Sequence, residues 1–318
     1  MRTTPLTVVG GFLGAGKTTL LNHLLRQTKQ RLAVLVNDFG AINIDAELVA
    51  SHNGNTISLA NGCICCSIGD NLVEALVDLT RQRSLPDHII IEASGVADPA
   101  RIAELARLDS ALDLSGVIVL ADAERLPQLL RDKYVADVVE QQLAAADLII
   151  VNKIDRVTED ERLAAAASLR RRCCGSRLIE AVAARVPPEI VLGMDRATDA
   201  PRLAGAPPAD HDHDGSDAHT HDHASRFAAC TLVRDTPLSA RALRDFIETL
   251  PDTILRVKGF VFTREEPQQP IILQLVGPRW TLTRALNWPD TPRTRLVVIG
   301  VAGFQPADIE QRFAALAA

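Results

Sequence analysis

One stretch near the amino terminus restricts the fold more than any other. Gly11-Phe12-Leu13-Gly14-Ala15-Gly16-Lys17-Thr18 fits G-x-x-x-x-G-K-[ST], with the apolar run Leu6–Val9 before it and the amphipathic stretch Thr18–Gln27 after it. A strand, a glycine-rich turn and a helix in that order form a cradle for phosphate. Gly11, Gly14, Ala15 and Gly16 let successive backbone N–H groups curl around an anion. The helix that follows points the positive end of its dipole at the same place. Lys17 is expected to reach the β- and γ-phosphates and the Thr18 hydroxyl to ligate Mg²⁺. Thr19 is grouped with them as nucleotide-binding.

The rest of the amino-terminal part fits this start. Short apolar runs, Ala33–Asn37, His88–Glu92, Val117–Ala121 and Leu148–Asn152, read as strands buried on both faces of a parallel sheet. Amphipathic stretches such as Asn71–Arg81, Arg101–Arg107 and Glu159–Arg172 lie between them. Alternation of the two types predicts an α/β P-loop domain over residues 1–195, with a mostly parallel sheet and helices on both faces. Residues 196–225, broken by Pro and Gly and then filled with His and Asp, read as a flexible linker. From 226 to 318 a different rhythm predicts a smaller α+β domain. Its strands are expected at Phe227–Val233, 254–262, 271–276, 279–284 and 295–299, and its helices at Ser239–Leu250 and 306–316.

A P-loop needs an acid facing its magnesium, and His88-Ile89-Ile90-Ile91-Glu92 ends in one. The N–H of Gly95, just beyond, is placed to contact a γ-phosphate. Asn152-Lys153-Ile154-Asp155 follows another strand and matches the N-K-x-D pattern that selects guanine. A carboxylate at Asp155 accepts from guanine N1–H and N2–H₂; adenine offers neither, so it leaves that carboxylate desolvated and unpaired. Lys153 is expected to lie along the base and Asn152 to brace the loop.

Gly62-Cys63-Ile64-Cys65-Cys66 puts three thiols within four residues, in a chain of six cysteines. Thiolates suit Zn²⁺ or Cu(I), and three of them leave a fourth position open, as a transferring site requires. Taken together and in order, GGFLGAGKTTLLNHLL, NDFG…ID, GCICC, IEASGVADP and VNKID resemble the CobW / nitrile hydratase-activator family of metallochaperone GTPases. The likeness extends weakly to Leu255–Gly259 and Val298–Gly300. It implies a GTPase that carries Zn²⁺, or Co²⁺, to a client metalloprotein. It also implies a switch region at Asn37–Asp45, with Asp38 and Asp45 near Mg²⁺ and the attacking water. The family usually has Glu where this chain has Asp38. Glu140 and Gln142 match the family pattern as well, with no physical role evident from sequence. No arginine finger is evident, so turnover by the isolated chain is expected to be slow, with a homodimer partner or the client supplying the missing group.

Five of the eight histidines, His211, His213, His219, His221 and His223, alternate with aspartates in the linker. Imidazole and carboxylate in that density predict a low-specificity metal-collecting loop. Cys173, Cys174 and Cys230 read as structural. A net charge of −6 and 3% aromatics oppose a nucleic-acid partner. No stretch reaches the ~18 apolar residues of a membrane span, and no secretory signal is visible, so a cytoplasmic protein is expected. Two rival readings remain at this point: a metal buffer whose docking is gated by GTP, and an ATP-dependent small-molecule kinase.

Overall fold

The computed structural model describes residues 3–36, 70–81, 85–173, 175–193, 227–301 and 303–316. The chain divides into two compact units, Met1–Gly193 together with Val276–Arg279, and Met194–Leu275 together with Trp280–Ala318.

The first unit is a six-stranded sheet. Its strands are β1 (Thr4–Gly11), β2 (Leu32–Val36), β3 (His88–Glu92), β4 (Leu112–Asp122), β5 (Leu148–Asn152) and β6 (Arg177–Ala181), in the spatial order β2-β3-β1-β4-β5-β6. Every neighbouring pair is parallel. Parallel strands need crossovers, and these include α1 (Lys17–Gln27), α2 (Asp70–Arg81), α3 (Pro99–Leu108), the short α4 (Leu126–Leu129), α5 (Ala136–Ala144) and α6 (Glu159–Arg172); α7 (Pro188–Leu192) follows β6. Period-2 alternation sends neighbouring residues of β1 to opposite faces. Leu6 and Val8 join a core with Ile102, Val139 and Leu169. Thr7 instead donates to the Val191 carbonyl of α7 at 3.2 Å and lies 2.8 Å from His88 Nε2. Both faces of the sheet are therefore covered, which is why its strands read as unbroken apolar runs.

Helix starts follow local chemistry. The Asp98 carboxylate accepts from Ala100 N at 2.9 Å, with Pro99 in the first turn of α3. Thr158 and Glu161 form a capping box on α6. That helix opens on Glu159, Asp160 and Glu161 and closes on Arg170, Arg171 and Arg172, so both ends complement its dipole.

The second unit carries β7 (Phe227–Arg234), α8 (Ala240–Glu248), β8 (Ile254–Val261), all but the last residue of β9 (Ile271–Val276), all but the first residue of β10 (Arg279–Arg284), β11 (Thr294–Val301) and α9 (Pro306–Ala314). The sheet order is β10-β9-β8-β11-β7, and β11 is antiparallel to both its neighbours. Leu232, Ile254, Val257 and Leu296 form its core with Leu243, Phe246 and Phe313 from the two helices. The rings of Phe246 and Phe313 meet edge to face, 5.5 Å apart. Among the described residues no helix is long and apolar enough to cross a membrane.

Candidate nucleotide site

The residues singled out for phosphate, acid and base contacts lie at the carboxyl ends of β1, β3 and β5. Gly11 closes β1 and Gly16 stands at the cap of α1. Both hold backbone angles that side chains resist, with φ of 133° and 108°. A Cβ on Gly11 would fall 2.5 Å from the Leu120 carbonyl, and one on Gly16 would fall 2.4 Å from Asn152 Nδ2. These glycines let the loop curl tightly against β4 and β5.

Lys17 is buried, and its Nζ donates to the Gly11 carbonyl at 2.9 Å. The ammonium thus lies folded across the mouth of its own loop. Thr18 Oγ1 donates to Glu92 Oε1 at 3.4 Å. That pairing joins the hydroxyl after the phosphate loop to the acid at the end of β3. Two hard oxygen groups so close are a donor set suited to Mg²⁺, which prefers octahedral oxygen and keeps several waters. Ser94 Oγ is buried in the next turn and has no hydrogen-bond partner among the described residues. A buried hydroxyl of this kind fits a site whose remaining acceptors belong to a ligand. Gly95 packs on Leu13 of the phosphate loop; a Cβ there would meet Leu13 Cδ2 at 2.3 Å. Thr19 is exposed on α1.

Asn152 ties the phosphate loop to the far side of the site. Its Nδ2 donates to the Ala15 carbonyl at 2.9 Å, and its Oδ1 accepts from Ala184 N at 2.7 Å. Lys153 adopts left-handed geometry, φ 62°, and its Nζ pairs with Asp122 Oδ2 at 2.6 Å. Asp155 lies in the short 3₁₀ turn Ile154–Arg156 and is exposed.

Four residues of this neighbourhood escaped the sequence reading. Asp122 ends β4 after an apolar run, and its other oxygen accepts from Glu124 N at 3.0 Å. An acid closing a buried strand was the signal, the same one that marked Glu92. Arg125 Nη1 donates to the Leu13 carbonyl at 3.3 Å, which brings a guanidinium beside the phosphate loop. Ala183 and Ala184 both have positive φ, 50° and 53°. Alanine pays roughly 1–2 kcal/mol for that conformation, and nothing in the residue type announces it.

Asp38, Asp45, Cys63, Cys65, Cys66, His211, His213, His219, His221 and His223 lie outside the described residues. Among the described residues no group of three or more His, Cys, Asp or Glu is arranged to hold a metal ion. Cys173 and Cys230 are buried cysteines. Burial, with the Glu310 charge nearby, pushes the Cys230 thiol up to about 11, so it stays protonated and unreactive near neutrality. His23 is half-buried and its Nε2 lies 3.0 Å from the Val186 carbonyl.

This geometry is that of a P-loop nucleotide-binding domain built on a parallel sheet. Family models sharpen the class. Residues 5–179 match the CobW/HypB/UreG nucleotide-binding domain, and residues 227–317 match the cobalamin synthesis protein cobW C-terminal domain. The chain belongs to the CobW family of metallochaperone GTPases. It is 31% identical to the zinc chaperone CobW of Pseudomonas aeruginosa, across 98% of this chain and 92% of that one. It is 28% identical to the zinc chaperone CobW of a Sinorhizobium species, across 98% and 97%. A solved structure, the Zn(II)-bound YjiA GTPase of E. coli, aligns over the full length of both chains at 22% identity and a TM-score of 0.46.

Proposed function

We propose that this GTPase uses its nucleotide state to govern the uptake and delivery of a transition metal to a client protein, with zinc the favoured metal and cobalt the second. The observation that carries the reading is the gathering of Lys17, Thr18, Glu92 and Asn152 at one rim of the sheet, in a chain whose β2–β3 connection contains three cysteines. β2 and β3 are parallel neighbours with Val36 opposite Glu92, so that connection leaves β2 beside Glu92. Relatives matched over nearly the whole chain are named zinc chaperones, which supports zinc.

In this reading Cys63, Cys65 and Cys66 hold the cargo metal, and the histidines from His211 to His223 collect it with low specificity. Gly11, Gly14, Ala15, Gly16 and Thr19 surround the phosphates. Asn152, Lys153 and Asp155 select guanine. Thr18 and Glu92 hold Mg²⁺, which when bound neutralises charge on the phosphoryl oxygens. Lys17 leaves the Gly11 carbonyl for the β- and γ-phosphates, exchanging a neutral acceptor for an anionic one. The Gly95 N–H donates to the terminal phosphate, while Asp38 or Asp45 orients water. A second copy of the chain, or the client, completes the charge stabilisation. A cytoplasmic location goes with this reading.

Coupling is reciprocal: if GTP changes the affinity for metal, metal changes the affinity for GTP by the same factor. Zn²⁺ affinity measured by competition with a chromophoric chelator should differ by about fivefold or more between the GDP and GTPγS states. Replacing Cys63, Cys65 and Cys66 by Ser should abolish that difference. Equal affinities in the two nucleotide states would remove the coupling and leave a GTPase that merely also binds metal.

A further inference from the structure

Helix α5 carries three successive polar residues that each reach a different element. Glu140 pairs with Arg172 at the end of α6. Gln141 Nε2 donates to Asp98 Oδ2 at 2.8 Å, and Asp98 caps α3. Gln142 points the other way and is 1% exposed. Its Nε2 donates to the Gly95 carbonyl at 3.1 Å and to the Ala97 carbonyl at 2.9 Å. Both partners are carbonyl oxygens, so only the NH₂ end of the amide can face them.

Those two carbonyls belong to the turn that leaves β3 after Glu92. The turn is closed by Ala97 N donating to the Ser94 carbonyl at 3.0 Å. Just before it, Ala93 N donates to the Val9 carbonyl of β1 at 2.8 Å. The segment is thus pinned to the sheet on one side and clamped by a buried amide on the other. Between the two pins lies Gly95, packed on Leu13 of the phosphate loop.

We propose that Gln142 is a positioning residue for GTP hydrolysis. Its amide holds the Ser94–Ala97 turn in place before the terminal phosphate arrives, so that Gly95 and Glu92 need not be reorganised during the reaction. A preset donor lowers the barrier because its alignment is complete before charge develops. An unclamped turn must be ordered in each catalytic cycle, and the cost falls on kcat.

The test uses the full chain and two variants, Gln142→Met and Gln142→Glu. Methionine keeps the length and volume but has no donor; glutamate keeps the shape and sets a carboxylate against two carbonyl oxygens. Loss of a doubly bonded buried donor should lower kcat about 10- to 100-fold while KM stays within about threefold. The Kd for a fluorescent GDP analogue should also stay within about threefold, because the phosphate loop and base turn are untouched. Hydrogen exchange of the 94–97 amides should accelerate in both variants. Either of two results overturns the proposal: kcat within about twofold of the parent in both variants, or kcat and GDP affinity falling in parallel, which marks general damage to the fold. The kinetic arm rests on the GTPase reading, and the exchange arm does not. An absent parental rate would therefore sink that reading, whereas unchanged exchange at 94–97 sinks the clamp itself.

Discussion

Replacing Asn152 by Ala should damage stability and nucleotide binding together, by amounts that follow from two hydrogen bonds. The side chain is buried and joins the Ala15 carbonyl, at 2.9 Å, to the Ala184 N–H, at 2.7 Å. Truncation orphans one acceptor and one donor, each worth about 1–3 kcal/mol when buried and unpaired, so the loss lies at about 2–6 kcal/mol. For a unit of this size 1 kcal/mol moves Tm by roughly 2–4 °C, so even the low end predicts a drop of about 4 °C. Binding suffers because Ala15 sits inside the phosphate loop. A tenfold loss of GDP affinity corresponds to about 1.4 kcal/mol. At a GDP concentration of 100 times the parental Kd the ligand stabilises the parent by about 2.7 kcal/mol; for the variant this falls to about 1.4. The thermal shift produced by GDP should therefore be about halved. Differential scanning fluorimetry with and without GDP measures both effects in one plate. A Tm within about 1 °C of the parent, together with an undiminished GDP shift, would refute the assignment of Asn152 as the tie between the two ends of the site.

Three further expectations are simpler. Asp155→Asn should move preference from guanosine to xanthosine nucleotides by reversing the donor–acceptor pattern, and an unchanged preference in competition binding would reject that role for Asp155. Burial holds the His23 imidazole below its ordinary value, outweighing the Val186 carbonyl that favours the charged form; Arg185 adds to the depression. The depressed folded value means that its contribution is fully present above the unfolded value near 6.5 and is lost as pH falls through the folded value. The unfolding midpoint should decline on acidification across that window, and His23→Gln should flatten the decline; identical pH profiles for the two proteins would contradict this. Deleting Asp210–His223 should lower the number of metal ions bound per chain while leaving GTP turnover intact, as metal analysis beside a phosphate-release assay would show.

The phosphate loop was legible because its chemistry leaves few alternatives. A backbone that curls against β4 and β5 excludes a Cβ at Gly11 and Gly16, so the residue types themselves report the geometry. The central strands were legible because burial on both faces forces continuous apolar runs. Legibility faded where those pressures relax. The edge strand β6, Arg-Leu-Ile-Glu-Ala, buries only Ile179 and Ala181 fully, and its charged residues hid it. Helix α5 was missed because its inward face mixes Val139 and Leu143 with the buried amide of Gln142, which breaks the apolar stripe. Asn152 could be marked as a brace from its motif, yet one of its partners, the Ala184 N–H, belongs to a turn 32 residues away whose positive φ no alanine advertises. The pairing of Lys153 with Asp122 is equally remote in sequence, across neighbouring strands β4 and β5.

One consequence of the Asn152 tie concerns time rather than affinity. A nucleotide leaves most pockets in stages, one end loosening while the other still holds. Here the loop that grips phosphate and the turn that follows β6 share a single side chain, so slack at one end is transmitted to the other. Escape then resembles opening a latch more than peeling a strip. GDP should depart in one kinetic phase, and any factor that dislodges the Ala183–Ala184 turn would act as an exchange trigger without touching a phosphate.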